Sequence, residues 1–302
     1  MFGRFAPTPS GELHVGNLRT GLVAWLAARA SGRGFLIRVE DIDQPRLPHA
    51  EAVAARQLDD LARLGLNHDG PIVWQSRRAA IYDQAMAKLR PHLYECFCSR
   101  KDIAEATRAP HGSTAIYPGT CRGLSEPEKA ERRARRQPSW RIDARSAHMT
   151  ITDAIHGSRT APVDDFVVRR ADGVWAYNFV VVVDDADQGV DQIVRGDDLL
   201  ESAPRQAWLA KTLGYPPPTY LHVPLVLAPD GTRLAKRDGA IGLNELLAAG
   251  LTVGQILGRL GHSLGLAAPG ESVTAATLAA RFDPGALPRQ PWLTDPVCWA
   301  GR

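Results

Sequence analysis

Apolar positions over the first 40 residues of the chain change from a short run to a helical repeat and back. Residues 2–6 form an apolar run, which ends at breakers such as Pro7 and Gly11. From Leu18, apolar side chains recur at three- and four-residue intervals, which is typical of a helix with a buried face. A second apolar run follows at residues 35–39. This order predicts two parallel strands joined by a right-handed helical crossover.

The remaining pattern predicts an α/β protein that ends in short helices. Helices are predicted at 49–64, 77–90, 199–213, 240–249, 253–264 and 273–282, and strands at 139–143, 163–170 and 174–183. At Tyr94 the pattern is interrupted by cysteines, glycines and prolines, and then by the charged run EPEKAERRARRQP, which is a candidate helix start. We therefore divide the chain into the first half of an α/β core (1–92), an insertion (93–135), the second half of the core (136–238) and a short helical C-terminal region (239–302).

Composition narrows the class of protein. The chain has 302 residues, 44% of them hydrophobic and 23% charged, which is ordinary for a globular protein and excludes general disorder. The net charge of +3 permits an anionic partner without requiring one. The four cysteines are too few for a disulfide scaffold, and neither a signal-peptide core nor a membrane span is present in the sequence. We therefore expect a cytoplasmic protein with no membrane partner.

The segment APTPSGELHVGNLRT lies between the first predicted strand and the first predicted helix. Such a junction commonly binds anions, because the free amides and partial positive charge of a helix N-terminus favour phosphate. Gly11 and Gly16 permit a close backbone approach, and His14 could donate to a phosphate oxygen. The alternative is a proline-rich turn with an incidental histidine, since short motifs often match by chance.

Several separated motifs resemble class I aminoacyl-tRNA synthetases of the glutamyl branch. They are RFAPTPSGELHVGNLRT, FLIRVEDID, AYNFVVVVDDADQGVDQIVRGDDLL, YLHVPLVL and RLAKR. HVGN matches the HIGH signature of that family, and RLAKR takes the place of its KMSKS loop, with Lys236 as the retained second lysine. The resemblance implies a Rossmann-like parallel-sheet catalytic core that binds ATP with Mg²⁺. It assigns ATP binding to His14, Gly16, Asn17 and Lys236, with His14 and Lys236 catalytic.

The resemblance also implies a site for L-glutamate. An amino acid needs an acid for its ammonium group, and an arginine can hold a carboxylate with two parallel hydrogen bonds. The matching positions for glutamate are Arg4, Phe5, Ala6, Pro7, Thr8, Glu40, Tyr177 and Arg195. Which of the two arginines holds the side-chain carboxylate stays open from the sequence.

Three cysteines lie close together within the insertion. Cys96, Cys98 and Cys121 indicate a metal site rather than disulfides, and structural zinc usually has four ligands. On chemistry alone His111 is the favoured fourth ligand, because imidazole is a common zinc ligand. The resemblance favours Tyr117, through the pattern C-x-C…Y-x-x-x-C of some glutamyl-type enzymes. We predict one structural Zn²⁺ per chain held with Tyr117, and keep His111 as the alternative.

About 60 residues follow RLAKR, which is too few for the anticodon-binding domain of a full glutamyl-tRNA synthetase. The chain resembles truncated members of the branch, which transfer glutamate to queuosine, the wobble base of tRNA(Asp). That resemblance implies the anticodon arm of tRNA(Asp) as a partner, and we expect a monomer. The alternatives are an enzyme that charges a tRNA 3′ end and an inactive zinc-containing RNA-binding protein. The arginines of the run 132–136 are a candidate RNA contact, although such a run is more often a solvated helix face.

Overall fold

Helices and strands alternate along most of the chain. The computed structural model describes residues 1–99, 101–103, 117–145, 147–232, 234, 241–294 and 299. The helices are α1 (Val15–Ala30), α2 (Ala50–Arg63), α3 (Ala79–Lys88), α4 (Glu126–Arg135), α5 (Tyr177–Asp187), α6 (Ala203–Thr212), α7 (Leu243–Ala248), α8 (Val253–His262) and α9 (Ala275–Ala280). The strands are β1 (Phe2–Phe5), β2 (Gly34–Val39), β3 (Val73–Trp74), β4 (Leu93–Cys96), β5 (Ser139–Ile142), β6 (His148–Asp153), β7 (Gly157–Pro162), β8 (Val167–Arg169), β9 (Val190–Gly196), β10 (Thr219–Val223), β11 (Val226–Leu227) and β12 (Trp292–Leu293).

A seven-stranded sheet with the order β3-β2-β1-β9-β10-β6-β7 forms the framework. Its neighbouring strands run parallel, apart from the antiparallel hairpin of β6 and β7. The predicted β–α–β unit is confirmed, with Phe2 opposite Gly34 and Phe5 opposite Ile37. The strand order reverses at β1, since β2 lies on one side of it and β9 on the other. A crevice at the carboxyl ends of such strands is where open α/β sheets bind ligands.

Helix α1 lies at the centre of the largest hydrophobic core. Leu18 and Leu22 are fully buried, and they share this core with Leu260 of α8 and Leu278 of α9. The predicted short C-terminal helices therefore pack on the same helix that follows the first strand. Among the described residues, no helix combines the length and the apolar character that crossing a bilayer requires. The division of the chain into four regions remains a prediction.

A smaller antiparallel sheet with the order β4-β5-β8 carries the insertion. Cys96 ends β4, and α4 begins after Ser125, whose backbone N–H donates to the Glu128 carboxylate at 2.8 Å. The predicted helix start in the charged run is thus confirmed. The strand predicted at 163–170 is shorter than expected, because only Val167–Arg169 pairs in the sheet.

The strand predicted at 174–183 is wrong, because most of this segment belongs to helix α5. The consecutive valines of YNFVVVV favour a strand by propensity. Phe179 and Val180 are fully buried, however, and Asp184 at the end of the run accepts hydrogen bonds from Gln75 and Tyr82. A short apolar run buried on all sides has no periodicity that separates helix from strand, so tertiary packing decides it.

Candidate active site

The N-terminus of α1 is capped by the histidine of the HVGN motif. Nδ1 of His14 accepts a hydrogen bond from the Gly16 backbone N–H at 3.0 Å, and Oδ1 of Asn17 accepts one from the His14 backbone N–H at 3.2 Å. This reciprocal capping box holds the ring at the positive end of the helix dipole. A neutral imidazole that accepts through Nδ1 carries its proton on Nε2. His14 therefore has an Nε2–H donor of the kind that suits a phosphate oxygen.

Gly16 is required by the same arrangement. A Cβ atom at this position would lie 2.9 Å from Cε1 and 3.0 Å from Nδ1 of the His14 ring, closer than real side chains approach. Any side chain here would displace the imidazole from its capping position. The lack of a side chain at Gly16 therefore leaves the space that the His14 ring occupies.

A cavity of about 680 Å³ opens beside this helix terminus, where β1, β2 and β9 end. Its volume is in the range of small-molecule sites. Ten predicted site residues line it, namely Phe5, Ala6, Pro7, Thr8, His14, Gly16, Asn17, Glu40, Tyr177 and Arg195. Their positions span the chain from residue 5 to residue 195, and the parallel sheet brings them to one edge.

The cavity wall carries an acid and an arginine. Glu40 follows the last residue of β2 and is 8% exposed, and Arg195 lies near the end of β9 and is 5% exposed. Burial raises the pKa of Glu40 even though Arg38 and Arg4 act to lower it. An ammonium group beside Glu40 would favour its ionised form again. The pair therefore offers opposite charges to a ligand that carries both signs.

Arg4 is placed differently from the other predicted residues. Its Nε donates to Asp185 Oδ1 at 3.2 Å, and its Nη1 donates to the Val194 carbonyl at 3.1 Å. The described lining of the cavity does not include this side chain. Direct contact between Arg4 and a substrate remains a prediction.

The described residues that flank the RLAKR segment also reach this site. Leu234 lines the cavity, and Gly242 forms an isolated antiparallel bridge with His14. The Val15 backbone N–H donates to the Ile241 carbonyl at 3.0 Å. Lys236 itself, predicted to bind ATP and to act in catalysis, lies outside the described residues, so its role remains a prediction.

A second cluster lies in the insertion. The Sγ atoms of Cys96, Cys98 and Cys121 are all within 4.8 Å of one another, and those of Cys98 and Cys121 are 3.6 Å apart. The Tyr117 hydroxyl oxygen lies 3.4 Å from Cys96 Sγ and 3.7 Å from Cys98 Sγ. Ligands at about 2.3 Å from a tetrahedral zinc ion are themselves about 3.8 Å apart. The three distances of 3.4, 3.6 and 3.7 Å therefore match the spacing of ligands around one zinc ion. The alternative ligand His111 lies outside the described residues.

The surroundings of Cys121 favour its thiolate, the form that binds metal. A hydrogen bond from the Cys96 thiol lowers the pKa of Cys121, and the Phe97 backbone N–H donates to its Sγ at 3.5 Å. Arg132 lies on α4 with Nη1 at 3.7 Å from the same sulfur. The sulfur of Cys121 is therefore surrounded by hydrogen-bond donors from the backbone and from α4.

The basic run 132–136 makes contacts within the insertion. Arg132 approaches Cys121, and Arg133 forms a salt bridge of 2.6 Å with Glu95 on β4. These contacts tie α4 to the cysteine cluster and the small sheet. Arg135 and Arg136 also contact neighbouring groups, a Glu131 carboxylate oxygen at 2.6 Å and the Phe97 carbonyl at 3.4 Å, so all four arginines that were candidate RNA contacts have partners inside the protein.

The family model of the class I tRNA synthetases (E and Q), catalytic domain, matches residues 2–256. The chain belongs to this family. It is 56% identical over 297 residues to the glutamyl-Q tRNA(Asp) synthetase of Nocardia farcinica, covering 97% of this chain and 93% of that protein. It is 49% identical to the protein of the same name from Cutibacterium acnes, covering 87% and 76%.

The synthetase family membership confirms the predicted resemblance, and the protein is a ligase of the aminoacyl-tRNA synthetase type. The fold agrees as well. A glutamate tRNA ligase from Elizabethkingia meningosepticum superposes with a TM-score of 0.82 at 23% identity, over 99% of this chain and 68% of that one. The predicted class I α/β catalytic core is therefore confirmed.

Gln57 is one of the residues that line this synthetase-family site without having been predicted from the sequence. Gln57 of α2 lines the cavity, and its Nε2 donates to the carbonyls of Thr8 at 3.2 Å and Gly11 at 2.6 Å. These bonds hold the loop that precedes His14. A signal was available, because Gln57 stands four residues after Val53 on the apolar face of α2 and is only 2% exposed.

Proposed function

We propose that the protein activates glutamate with ATP to form glutamyl-adenylate, and then transfers the glutamyl group to queuosine in the anticodon of tRNA(Asp). The queuosine acceptor follows the name that the relatives carry. The observation that carries the first step is that His14, at a helix N-terminus, lines the same cavity as Glu40 and Arg195. The ligand that matches it has phosphates at one end and an amino acid at the other.

The phosphate end of this ligand is supported by the N-terminus of α1. In the activation step a glutamate carboxylate oxygen attacks the α-phosphorus of ATP, and pyrophosphate leaves. Negative charge builds on the phosphate oxygens, which the helix dipole and the His14 Nε2–H would stabilise. Lys236 would act on the same phosphates. Mg²⁺ bound with ATP would neutralise part of their charge.

The amino-acid end is supported by Glu40 and Arg195. Glu40 would pair with the ammonium group of glutamate, and Arg195 would hold a carboxylate with two N–H donors. Tyr177 lies at the start of α5, on the lining of the same cavity. In the transfer step, a hydroxyl of the queuosine ring would attack the glutamyl carbonyl carbon, and AMP would leave.

We also propose that Cys96, Cys98, Tyr117 and Cys121 bind one structural Zn²⁺. The spacing of their ligand atoms supports this. The ion would tie the end of β4 to the segment before α4. Such a crosslink stabilises a small, loop-rich unit with few apolar residues of its own.

The activation step is tested by glutamate-dependent exchange between ATP and labelled pyrophosphate. The wild type should catalyse it, and Arg195→Ala should lower kcat/KM for glutamate at least tenfold, because hydrogen bonds between charged groups contribute about 1.5–3 kcal/mol each. Arg33→Ala serves as the matched control, since Arg33 pairs with Asp191 away from the cavity and should keep full exchange. Unchanged exchange in folded Arg195→Ala would remove this arginine from the site.

The transfer step is tested with labelled glutamate and two preparations of tRNA(Asp), one that contains queuosine and one that lacks it. Label should enter only the queuosine-containing tRNA and should map to the anticodon loop after nuclease digestion. Label at the 3′ end of unmodified tRNA would instead identify an enzyme that charges the terminal adenosine. A wild type that shows neither exchange nor transfer would support the inactive RNA-binding alternative.

A further inference from the structure

Most hydrogen-bond donors of Arg195 are held by the protein itself. A guanidinium group has five N–H donors. Nε of Arg195 donates to His222 Nε2 at 3.0 Å, Nη1 donates to Gln206 Oε1 at 2.7 Å, and Nη2 donates to the Leu199 carbonyl at 3.3 Å. Counting only partners in the described part of the chain, two N–H groups remain. Two donors match the two oxygens of a carboxylate.

The bond to Nε depends on the protonation state of His222. This histidine lies on β10 with no exposed surface, and its Nδ1 is 2.7 Å from Asp153 Oδ2. Its own backbone N–H donates to the same oxygen at 3.0 Å. With the proton on Nδ1 directed to Asp153, Nε2 has the lone pair that the Arg195 Nε–H requires.

Asp153 is itself fixed at the end of β6. Its other oxygen, Oδ1, accepts from the backbone N–H groups of Ile155 and His156, each at 2.9 Å. Burial lowers the pKa of His222, with Arg195 acting in the same direction and Asp153 against it, and hydrogen bonds from His222 and the backbone lower the pKa of Asp153 despite its burial. The pair is therefore a neutral imidazole beside a carboxylate.

We propose that Asp153 and His222 are positioning residues, which orient Arg195 so that its two remaining donors face a carboxylate of the substrate amino acid. This inference rests on the proposed function, because it gives Arg195 a carboxylate ligand. The chain of contacts runs across the sheet from β6 through β10 to β9, in the order Asp153, His222, Arg195. A buried apolar residue at position 222 would fill the same space but would leave the Nε–H without an acceptor.

Two substitutions of His222 separate positioning from simple packing. In His222→Gln the amide oxygen reaches the position of Nε2, so the bond to Arg195 can persist. In His222→Asn the amide reaches only as far as Nδ1, so the contact with Asp153 can persist while the bond to Arg195 is lost. We expect His222→Asn to raise KM for glutamate about tenfold, as the loss of one charge-assisted hydrogen bond predicts, with KM for ATP unchanged. His222→Gln should stay within about twofold of the wild type in both constants. Equal effects of the two variants on KM for glutamate, or a matching rise in KM for ATP, would show a structural role only.

Nuclear magnetic resonance of the wild-type protein gives a second measurement that does not depend on activity. Long-range ¹H–¹⁵N correlation should show His222 as the neutral Nδ1–H tautomer at neutral pH, with a slowly exchanging Nε–H signal from Arg195. An Nε2–H tautomer or a charged ring would overturn the positioning role, even if glutamate-dependent exchange were normal. The expected tautomer in a wild type that lacks this exchange would refute the proposed function alone, and the orientation of Arg195 by the pair would stand.

Discussion

Substitution of Gly16 by alanine perturbs one contact in the candidate active site. The added methyl group would lie 2.9 Å from Cε1 and 3.0 Å from Nδ1 of His14, whereas its distance to Val226 would be an ordinary 3.5 Å. The imidazole must therefore move, since it is the close neighbour. It would then lose the hydrogen bond from the backbone N–H of residue 16.

The two effects on stability nearly cancel. Loss of a helix N-cap costs about 1 kcal/mol. Alanine is favoured over glycine within a helix by about 1 kcal/mol. We therefore expect Gly16→Ala to change the free energy of unfolding by less than about 1 kcal/mol, by the difference of these two terms.

Activity should respond much more strongly than stability. If His14 donates to a charged phosphate oxygen, its displacement removes a hydrogen bond that contributes about 1.5–3 kcal/mol. That corresponds to a loss of about ten- to a hundredfold in kcat/KM for ATP. A large loss of kcat/KM for ATP with little change in the free energy of unfolding would identify a functional histidine. A histidine that only caps the helix would give little loss of activity.

The assay is ATP–pyrophosphate exchange, with chemical denaturation of the same preparations. Gly21→Ala is the matched control on α1, because its Cβ would meet Phe5 and Leu61 at ordinary distances of 3.4 and 3.5 Å. It should keep full exchange. His14→Ala should match Gly16→Ala, and the double variant should lose little more, because both changes remove one interaction. Full exchange in Gly16→Ala, or a loss of stability that explains its inactivity, would refute the reasoning.

The remaining predictions concern the cysteine cluster and the buried ion pairs. Elemental analysis of the wild type should find about one zinc per chain. Removal of the metal by a chelator, or the substitution Cys121→Ser, should lower the Tm. A wild type that contains no metal, and whose Tm a chelator does not change, would contradict the site. In chemical denaturation Arg38→Met should cost about 3–5 kcal/mol, because Asp184 and Asp185 would lose a buried cation, and a negligible loss would argue against this network. Burial alone would raise the pKa of Asp185, but Arg38 and Arg4 outweigh it and hold the pKa below its ordinary value. The stabilisation by this carboxylate is therefore fully present above about pH 4 and is lost as the pH falls through the lower folded-state pKa, so the melting curves of the wild type and Asp185→Asn should converge in acid.

The fold was predictable where the hydrophobic pattern is local and periodic. The β–α–β unit of residues 2–39 follows from one helical repeat between two apolar runs, and the structure confirms it. The hairpin of β6 and β7 was not predictable in this way. The residues of β7 (Gly157–Pro162) are nearly all exposed, so they show no alternation of apolar and polar positions. This strand is held by backbone hydrogen bonds to β6. Backbone pairing of this kind leaves no hydrophobic pattern in the sequence.

The candidate site was predictable as a set of motifs but not as a network. His14 and Gly16 are two residues apart, and their contact follows from the motif itself. Asp153 and His222 are 69 residues apart, and His222 and Arg195 are 27 apart. Only the order of strands in the sheet brings these three side chains into line. A buried histidine and a buried aspartate have no sequence signature that separates a positioning role from packing.

The surroundings of Arg4 and Arg195 bear on which of them holds a carboxylate of the substrate. The charge of Arg4 is matched by Asp185, with which it shares a salt bridge of 3.2 Å inside the protein. Arg195 has only neutral partners for its described hydrogen bonds, including Gln206 and the imidazole of His222. Among the described residues that line the cavity, Arg195 is the one arginine. A buried cation whose hydrogen-bond partners are neutral gains from a carboxylate ligand, because the ligand repays part of its desolvation. We therefore infer that Arg195 is the carboxylate-binding residue and that Arg4 supports the wall of the site.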